Sequence, residues 1–317
     1  MLTVGVDVGG TTVKAGLVDD GGSLLVARVA PTPRQPDELD DTVAQLVEHL
    51  VGEARADGHG VGAVGLAVAG FVDPTRQSVS FGAHLPWRDA PVVDRMSARL
   101  DRPVTLEHDA NAAGLAEHRV GAAAGASVAV LIALGTGIGA ALVVDGQVFR
   151  GAHGVAPELG HLVVVPDGRP CPCGKRGCLE RYCSGTALGA SADEQVSASD
   201  DFSTLRAQWE RGLPLTGRDV AQAAAAGDTL ARRVVLDFAG WLGRGLALAA
   251  DVFDPDVVVL GGEVSASAQL YLDDACAVYA EEVTGRGHRR LATVRPAVLG
   301  GDAGVIGAAL DARERGL

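Results

Sequence analysis

A chain of 317 residues with 40 acidic against 27 basic side chains carries a net charge of −13, which argues against non-specific binding to nucleic acid or to an anionic membrane surface. At 47% hydrophobic and 21% charged residues it can bury a sizeable core, and its length fits two domains better than one. Aromatic residues make up only 4%, so small aliphatic side chains are expected to fill the interior.

The N-terminus, MLTVGVDVGG, has no basic region followed by an apolar run and a cleavage site, so a cytoplasmic location is expected. Residues 2–22 predict strand, turn and strand around Gly9, Gly10, Thr11 and Thr12. No helix-turn-helix module fits ahead of that first strand. A helix follows over 37–58, where Leu39, Val43, Leu46, Val47, Leu50 and Val51 form one stripe and acidic residues crowd the first turn. Residues 61–70 and 103–109 read as strands, each running into a loop or helix.

The uncharged stretch from Gly121 to Val144 is long enough to span a bilayer, but GTGIG interrupts it and basic anchors are missing. Shifted by 125 residues, it matches the first hairpin. Gly10 falls on Gly135, Thr11 on Thr136, Val13 on Ile138, Leu17 on Leu142 and Asp20 on Asp145. A second copy of the strand–turn–strand unit is therefore expected, and with it two related domains that each offer a Gly-Thr turn to a cleft between them. Ser191–Asp201, polar and irregular, is expected to be a surface loop. A long helix is expected over 229–255, stopped by Pro255, followed by a strand that ends in Gly261-Gly262.

Three of the five cysteines, Cys171, Cys173 and Cys178, lie within eighteen residues of chain that begin at His161. Three thiolates and an imidazole on a Gly/Pro-rich loop suit tetrahedral Zn²⁺. A disulfide and a redox pair are the alternatives, disfavoured by the expected compartment and by the Cys-x-Cys spacing. With four protein ligands the metal would be structural, since no position is left for water. Cys183 and Cys276 are expected to be small buried residues.

The paired Gly-Thr turns, with Gly261-Gly262 after a third strand, predict a nucleotide phosphate site, because glycine lets backbone N–H groups approach an anion closely. Asp7, just before the first turn, is a candidate partner for Mg²⁺; its counterpart in the second copy is Ile132. Asp109 stands where a strand gives way to a helix. It can be an N-cap, a general base, or both, and spacing alone does not decide. Glu158 and Glu180 flank the cysteine cluster. If His161 binds zinc through one ring nitrogen, the other is free to hydrogen-bond to a sugar hydroxyl between them.

Together these segments resemble the ROK family of sugar kinases and sugar-responsive repressors, over nearly the whole chain. DVGGTT matches the first phosphate loop, LGTGIG the second, HDANAAGLAE the catalytic-aspartate segment, ELGH with CPCGKRGCLE the zinc signature, and VVVLGGEVS the adenosine-side segment. The resemblance implies an α/β fold of duplicated actin/hexokinase-like, ribonuclease H-like domains with an interdomain cleft. A smaller domain would span 1–115 with 300–317 joined to it, and a larger one 116–299 with a zinc loop at 158–184. It implies transfer of the ATP γ-phosphate to the 6-hydroxyl of a hexose, most often glucose, with Mg²⁺ and structural Zn²⁺.

Asp109 would be the base. Gly70, His108, Asp109, Glu158, His161 and Glu180 would hold the sugar. Asp7, Gly9, Gly10, Thr11, Thr12, Gly135, Thr136, Gly137, Gly261 and Gly262 would hold the nucleotide and its metal, and His161, Cys171, Cys173 and Cys178 the zinc. A homodimer or homotetramer is implied, with neither nucleic acid nor membrane as partner. The chain departs from the family pattern at His108, where asparagine is usual, and that leaves a modified glucose such as kanosamine, or a C7-cyclitol, as alternative acceptors. A sugar-sensing regulator without a DNA-binding head is the alternative of another class.

Overall fold

The computed structural model describes residues 1–315. In chain order the elements are β1 (Leu2–Val8), β2 (Thr12–Val18), β3 (Leu24–Pro31), α1 (Pro36–Ala56), β4 (Val61–Val68), β5 (Phe71–Val72), β6 (Val79–Phe81), β7 (Arg88–Ala90), α2 (Val92–Leu100), β8 (Val104–His108) and α3 (Asp109–Val120). They continue with β9 (Val128–Leu134), β10 (Ile138–Val144), β11 (Gln147–Phe149), α4 (Gly185–Ala198), α5 (Arg206–Glu210), α6 (Gly217–Ala225), α7 (Thr229–Phe253), β12 (Val257–Gly261), α8 (Leu272–Glu282), β13 (Thr293–Pro296) and α9 (Ala303–Glu314).

Two five-stranded sheets share one strand order, β3-β2-β1-β4-β8 and β11-β10-β9-β12-β13. In chain order each reads third, second, first, fourth, fifth. β1 and β2 are antiparallel, as are β2 and β3, while β4 runs parallel to β1 and β8 parallel to β4. β5, β6 and β7 make a separate three-stranded sheet. By compactness the described residues divide into one unit of residues 1–131, 141–157 and 298–315 and another of 132–140 and 158–297. Helix α3 runs unbroken past 115/116 to Val120 and packs along α9.

In the first unit, β1 turns Leu2, Val4, Val6 and Val8 toward Leu39, Val43, Val47 and Leu50 of α1, with the predicted Leu46 and Val51 packed at the rim. Truncating the fully buried Leu50 to alanine would cost ~2–5 kcal/mol. On the other face, Gly5 of β1 and Gly65 of β4 carry no side chain. A Cβ at Gly5 would collide with the carbonyl of Val305, one at Gly65 with that of Ala308, and one at Gly307 with that of Ala112. So α9 lies directly on β1 and β4, and α3 directly on α9, which is where the abundant glycine and alanine are used.

In the second unit, Asp228 caps α7 by accepting the N–H of Ala231 at 3.0 Å, and the helix ends at Phe253 with Asp254 left-handed just before Pro255, as the sequence predicts. The expected loop at Ser191–Asp201 is a correction. Residues 191–198 are the second half of α4, whose Ser191, Ala192 and Val196 are buried. Polar composition misled there because small serines and alanines fit a helix packed closely against α6 and α7. The uncharged stretch 121–144 contains β9 and β10, and among the described residues no helix is long and apolar enough to cross a membrane.

Both hairpins have three-residue connections, Gly9–Thr11 and Gly135–Gly137, so their strand ends align at a shift of 126, one more than the sequence match. The turns close differently. Gly9 N–H donates to the Thr12 carbonyl at 3.0 Å, whereas Gly135 N–H donates to the Gly137 carbonyl at 3.0 Å.

Candidate active site and metal centre

The register of the first sheet sets Val8 beside Val68 and Val68 beside His108, so three parallel strands end on one edge. Parallel sheets in α/β proteins bind ligands at that edge. It carries the Gly9–Thr11 turn after β1, Gly70 after β4, and His108 with Asp109 after β8. Gly70 has no room for a side chain, since a Cβ there would stand 2.6 Å from the Phe81 carbonyl oxygen. At Gly10 a Cβ would stand 2.5 Å from the Cβ of His84, a neighbour that no motif signalled.

His108 occupies the N-cap position and Asp109 the first position of α3. The Asp109 Oδ1 accepts the N–H of Ala110 at 2.7 Å and lies 3.1 Å from His108 Nε2. The carboxylate is half-buried, held by the helix start yet open on one side. Asp7 pairs across the hairpin with Lys14, whose Nζ also reaches the Gly301 carbonyl at 3.2 Å and the Asp302 carboxylate. Loss of hydration, then the negative charge of Asp109, push the Asp7 carboxyl up to about 7 against the pull of Lys14. A buried carboxylate that feels the charge of a second one is a natural place for a divalent cation.

In the second unit the ligand atoms of His161, Cys171, Cys173 and Cys178 all lie within 4.8 Å of one another. The Cys173 and Cys178 sulfurs are 3.6 Å apart, and Cys171 Sγ is 3.7 Å from His161 Nδ1. A tetrahedron with metal–sulfur bonds of ~2.3 Å has edges of ~3.8 Å, so the four groups fit Zn²⁺ and are too far apart for a disulfide. Gly177 makes the loop possible. Its φ is +78° and a Cβ there would run into the Val165 carbonyl. Burial pushes the Cys171 thiol up to about 12, while the N–H of Lys175 and the neighbouring thiols bring Cys173 below its ordinary value in spite of desolvation.

With Nδ1 turned to the cluster, His161 Nε2 lies 3.9 Å from Glu158 Oε2. On the other side Glu180 Oε1 is 3.3 Å from Cys171 Sγ, and its Oε2 is 3.4 Å from the N–H of Ile138, beside the Gly135–Gly137 turn. The structure thus gathers Glu158, His161 and Glu180 around the cluster. Cys183 is fully buried as expected, but Cys276 is only half-buried.

A cavity of about 940 Å³ opens from Gly135 and Thr136 and is lined further by Thr186, Leu215, Gln222 and Val264. Its lining is mixed, with Leu215 and Val264 beside Thr136, Arg218, Gln222 and Glu263. Gly262, with φ +80°, passes against the Leu134 carbonyl and so brings the end of β12 beside the end of β9. Most of the lining lies on helices with no motif of their own; Gly135 and Thr136, with Glu263 and Val264 of the VVVLGGEVS segment, were legible in the sequence.

This α/β chain belongs to the ROK family, which it matches over residues 3–315, and has the actin/hexokinase-like ROK sugar-kinase fold. It is 38% identical over 315 residues to the glucokinase of Streptomyces coelicolor, an alignment that covers 99% of this chain and 98% of that one. The crystal structure of a ROK family glucokinase from Streptomyces griseus in complex with glucose and AMPPNP superposes with a TM-score of 0.85 at 38% identity, covering 99% of this chain and 100% of the other. The ROK hexokinase from Thermus thermophilus gives 0.82 at 36% identity, with 99% of each chain covered.

Proposed function

We infer that the protein is an ATP-dependent hexose kinase acting on glucose. The observation that carries this is full-length similarity, 38% in identity, to a ROK glucokinase whose structure holds glucose and AMPPNP.

On this reading Asp109 accepts the proton of the sugar 6-hydroxyl as its oxygen attacks the γ-phosphorus in line. The bond from that phosphorus to the bridging oxygen breaks, and ADP leaves. The turns at Gly9–Thr12 and Gly135–Gly137 direct N–H groups and threonine hydroxyls at the phosphates, and the cavity of the second unit takes the nucleoside. Asp7 would hold Mg²⁺, directly or through water, and the cation supplies charge neutralisation for the phosphates. His161, Cys171, Cys173 and Cys178 would hold Zn²⁺, which orders the loop. His161 Nε2, Glu158 and Glu180 then hydrogen-bond to sugar hydroxyls, with His108 and Gly70 as further contacts. A cytoplasmic homodimer or homotetramer is inferred from the family, and light scattering tests the assembly.

A coupled ADP-release assay over a panel of hexoses tests the function. Glucose-dependent ADP release is the expected outcome. Sugar binding with no turnover on any hexose would instead mark a sugar-sensing protein.

A further inference from the structure

Next to the proposed base lies a buried ionic cluster that the kinase reading leaves without a task. Glu107, the residue of β8 two before Asp109, is 2% exposed; Arg76 and Asp311 are 6% exposed and Asn111 2%. Glu107 Oε2 accepts from Arg150 Nε at 2.8 Å and Nη2 at 2.5 Å, and lies 3.3 Å from Arg76 Nη2. Arg76 also pairs with Asp311 of α9, and its Nε donates to the Leu106 carbonyl at 2.7 Å. Arg150 Nη2 stands 3.8 Å from Asp311 Oδ1 and Arg315 Nε 3.7 Å from Asp311 Oδ2. Glu107 Oε1 accepts the backbone N–H of His108 at 2.9 Å and Asn111 Nδ2 at 3.0 Å.

Two carboxylates against two guanidiniums make the centre of the cluster neutral, yet such clusters are poor sources of stability. Desolvation offsets much of the attraction, and apolar replacements of similar volume often do as well or better. An apolar side chain could not, however, bond to main chain and side chains on both sides of one residue. Arg76 holds the Leu106 carbonyl before Asp109. Glu107 holds the His108 N–H immediately before it and the Asn111 amide in the turn after it. Asn111 Oδ1 is buried with no partner, so that amide is oriented through its bond to Glu107 at the cost of an unsatisfied acceptor. Asp109 itself stays outside the cluster; its Oδ1 accepts the Ala110 N–H and lies 3.1 Å from His108 Nε2. Burial alone would raise the Glu107 pKa, but Arg76 and Arg150 outweigh it and hold the carboxylate ionised, able to accept at both oxygens.

We propose that Glu107 is a positioning residue for Asp109: from inside the fold, clamped by Arg150 and Arg76, it fixes the strand end and first helical turn that aim the base. The proposal rests on the reading of Asp109 as the base of a hexose kinase. A small displacement of such a group is enough to cost a large part of the rate.

The experiment compares Glu107→Gln and Arg150→Met, each alone and combined with Asp109→Asn, in the full chain. Arg150→Met removes the two-bonded hold on Oε2 from a side chain that is 27% exposed, so it remains decisive if Glu107→Gln does not fold. Each single variant is expected to lower kcat at least about tenfold with the KM values for glucose and ATP within about threefold. In the Asp109→Asn background the same change should lower residual turnover by less than about twofold, because two residues that act through one group are not additive. Full additivity, or unchanged kcat, overturns the proposal.

Amide hydrogen exchange gives a readout that does not depend on turnover. Exchange at residues 108–110 should accelerate while β1 and α9 keep their protection. Uniform acceleration, or none, would reduce the cluster to ordinary packing. If the wild-type chain phosphorylates no hexose, the kinase reading fails, and exchange still decides whether Glu107 orders this turn.

Discussion

The two five-stranded sheets have the same strand order but carry different chemistry. At the edge of the first stand two carboxylates, Asp7 and Asp109, with a buried ionic cluster behind them. The second has Ile132 or Ala133 at the places that correspond to Asp7, at a shift of 125 or 126, and instead borders a cavity of about 940 Å³ and a cluster of four potential metal ligands. The shared topology supplies a turn at the end of a buried strand in both cases. What the turn does depends on the side chains brought up to it, so the sheet is a mount and the chemistry is attached to it.

The sharpest way to break the comparison is to remove the carboxylate that only the first sheet has. Asp109→Asn should lower kcat by ~10²–10⁴ with little change in sugar KM, measured by coupled ADP release. Retention of more than about a tenth of the turnover would leave Asp109 as a helix-start residue only.

The second sheet's own attachment is tested by Cys173→Ser. One Zn²⁺ per wild-type chain is expected by metal analysis. The variant should lose metal affinity by more than ~100-fold, together with sugar affinity and thermal stability. Full activity in protein stripped of metal would refute the assignment.

A smaller effect is expected at His108, where a neutral imidazole offers one donor and one acceptor on opposite edges rather than side by side as an amide does. His108→Asn should change the ranking of glucose, mannose, kanosamine and a C7-cyclitol by ~0.5–1.5 kcal/mol in kcat/KM. An unchanged ranking would mean that the position does not read the sugar.

Asp7 gives an effect on stability that appears only at high pH. Its carboxyl titrates near 7 in the fold against 3.8 as an ordinary aspartate, so the folded state binds the extra proton between those values. The stability tied to that proton is present below about pH 4 and is lost as pH rises through about 7. Asp7→Asn, in the absence of nucleotide and metal, should therefore match wild type at pH 4 and melt higher at pH 8, by ~2–4 °C for each kcal/mol recovered. An equal difference at both pH values would mean that the charge on Asp7 is not what burial and Asp109 penalise.

Sequence determined the elements wherever a periodic pattern met a local stop signal. The stripe of α1, the hairpin at 2–18, the end of α7 before Pro255 and the metal cluster were all legible, because capping, turn and ligand chemistry act between residues close in the chain. The cysteine cluster was legible for the further reason that thiolates and an imidazole at close spacing have few other uses. Where a helix is made of small, partly polar residues, as in the second half of α4, composition gave the wrong sign, since burial there is set by how closely α6 and α7 approach.

Tertiary structure alone decided the rest. Nothing local in the sequence joins Glu107 to Arg76, Arg150 and Asp311, which come from a loop, the end of a short strand and a terminal helix up to 235 residues apart. The cavity walls come from helices whose inward faces look like any core. The closeness of α9 to β1, β4 and α3 could be felt in the sequence only as glycines at 5, 65 and 307. The physical reason is the range of the forces. Backbone propensity and turn geometry are settled within a few residues. Desolvation, ion pairing and steric approach act between whatever surfaces the fold brings together, and on those this protein's proposed base and its supports depend.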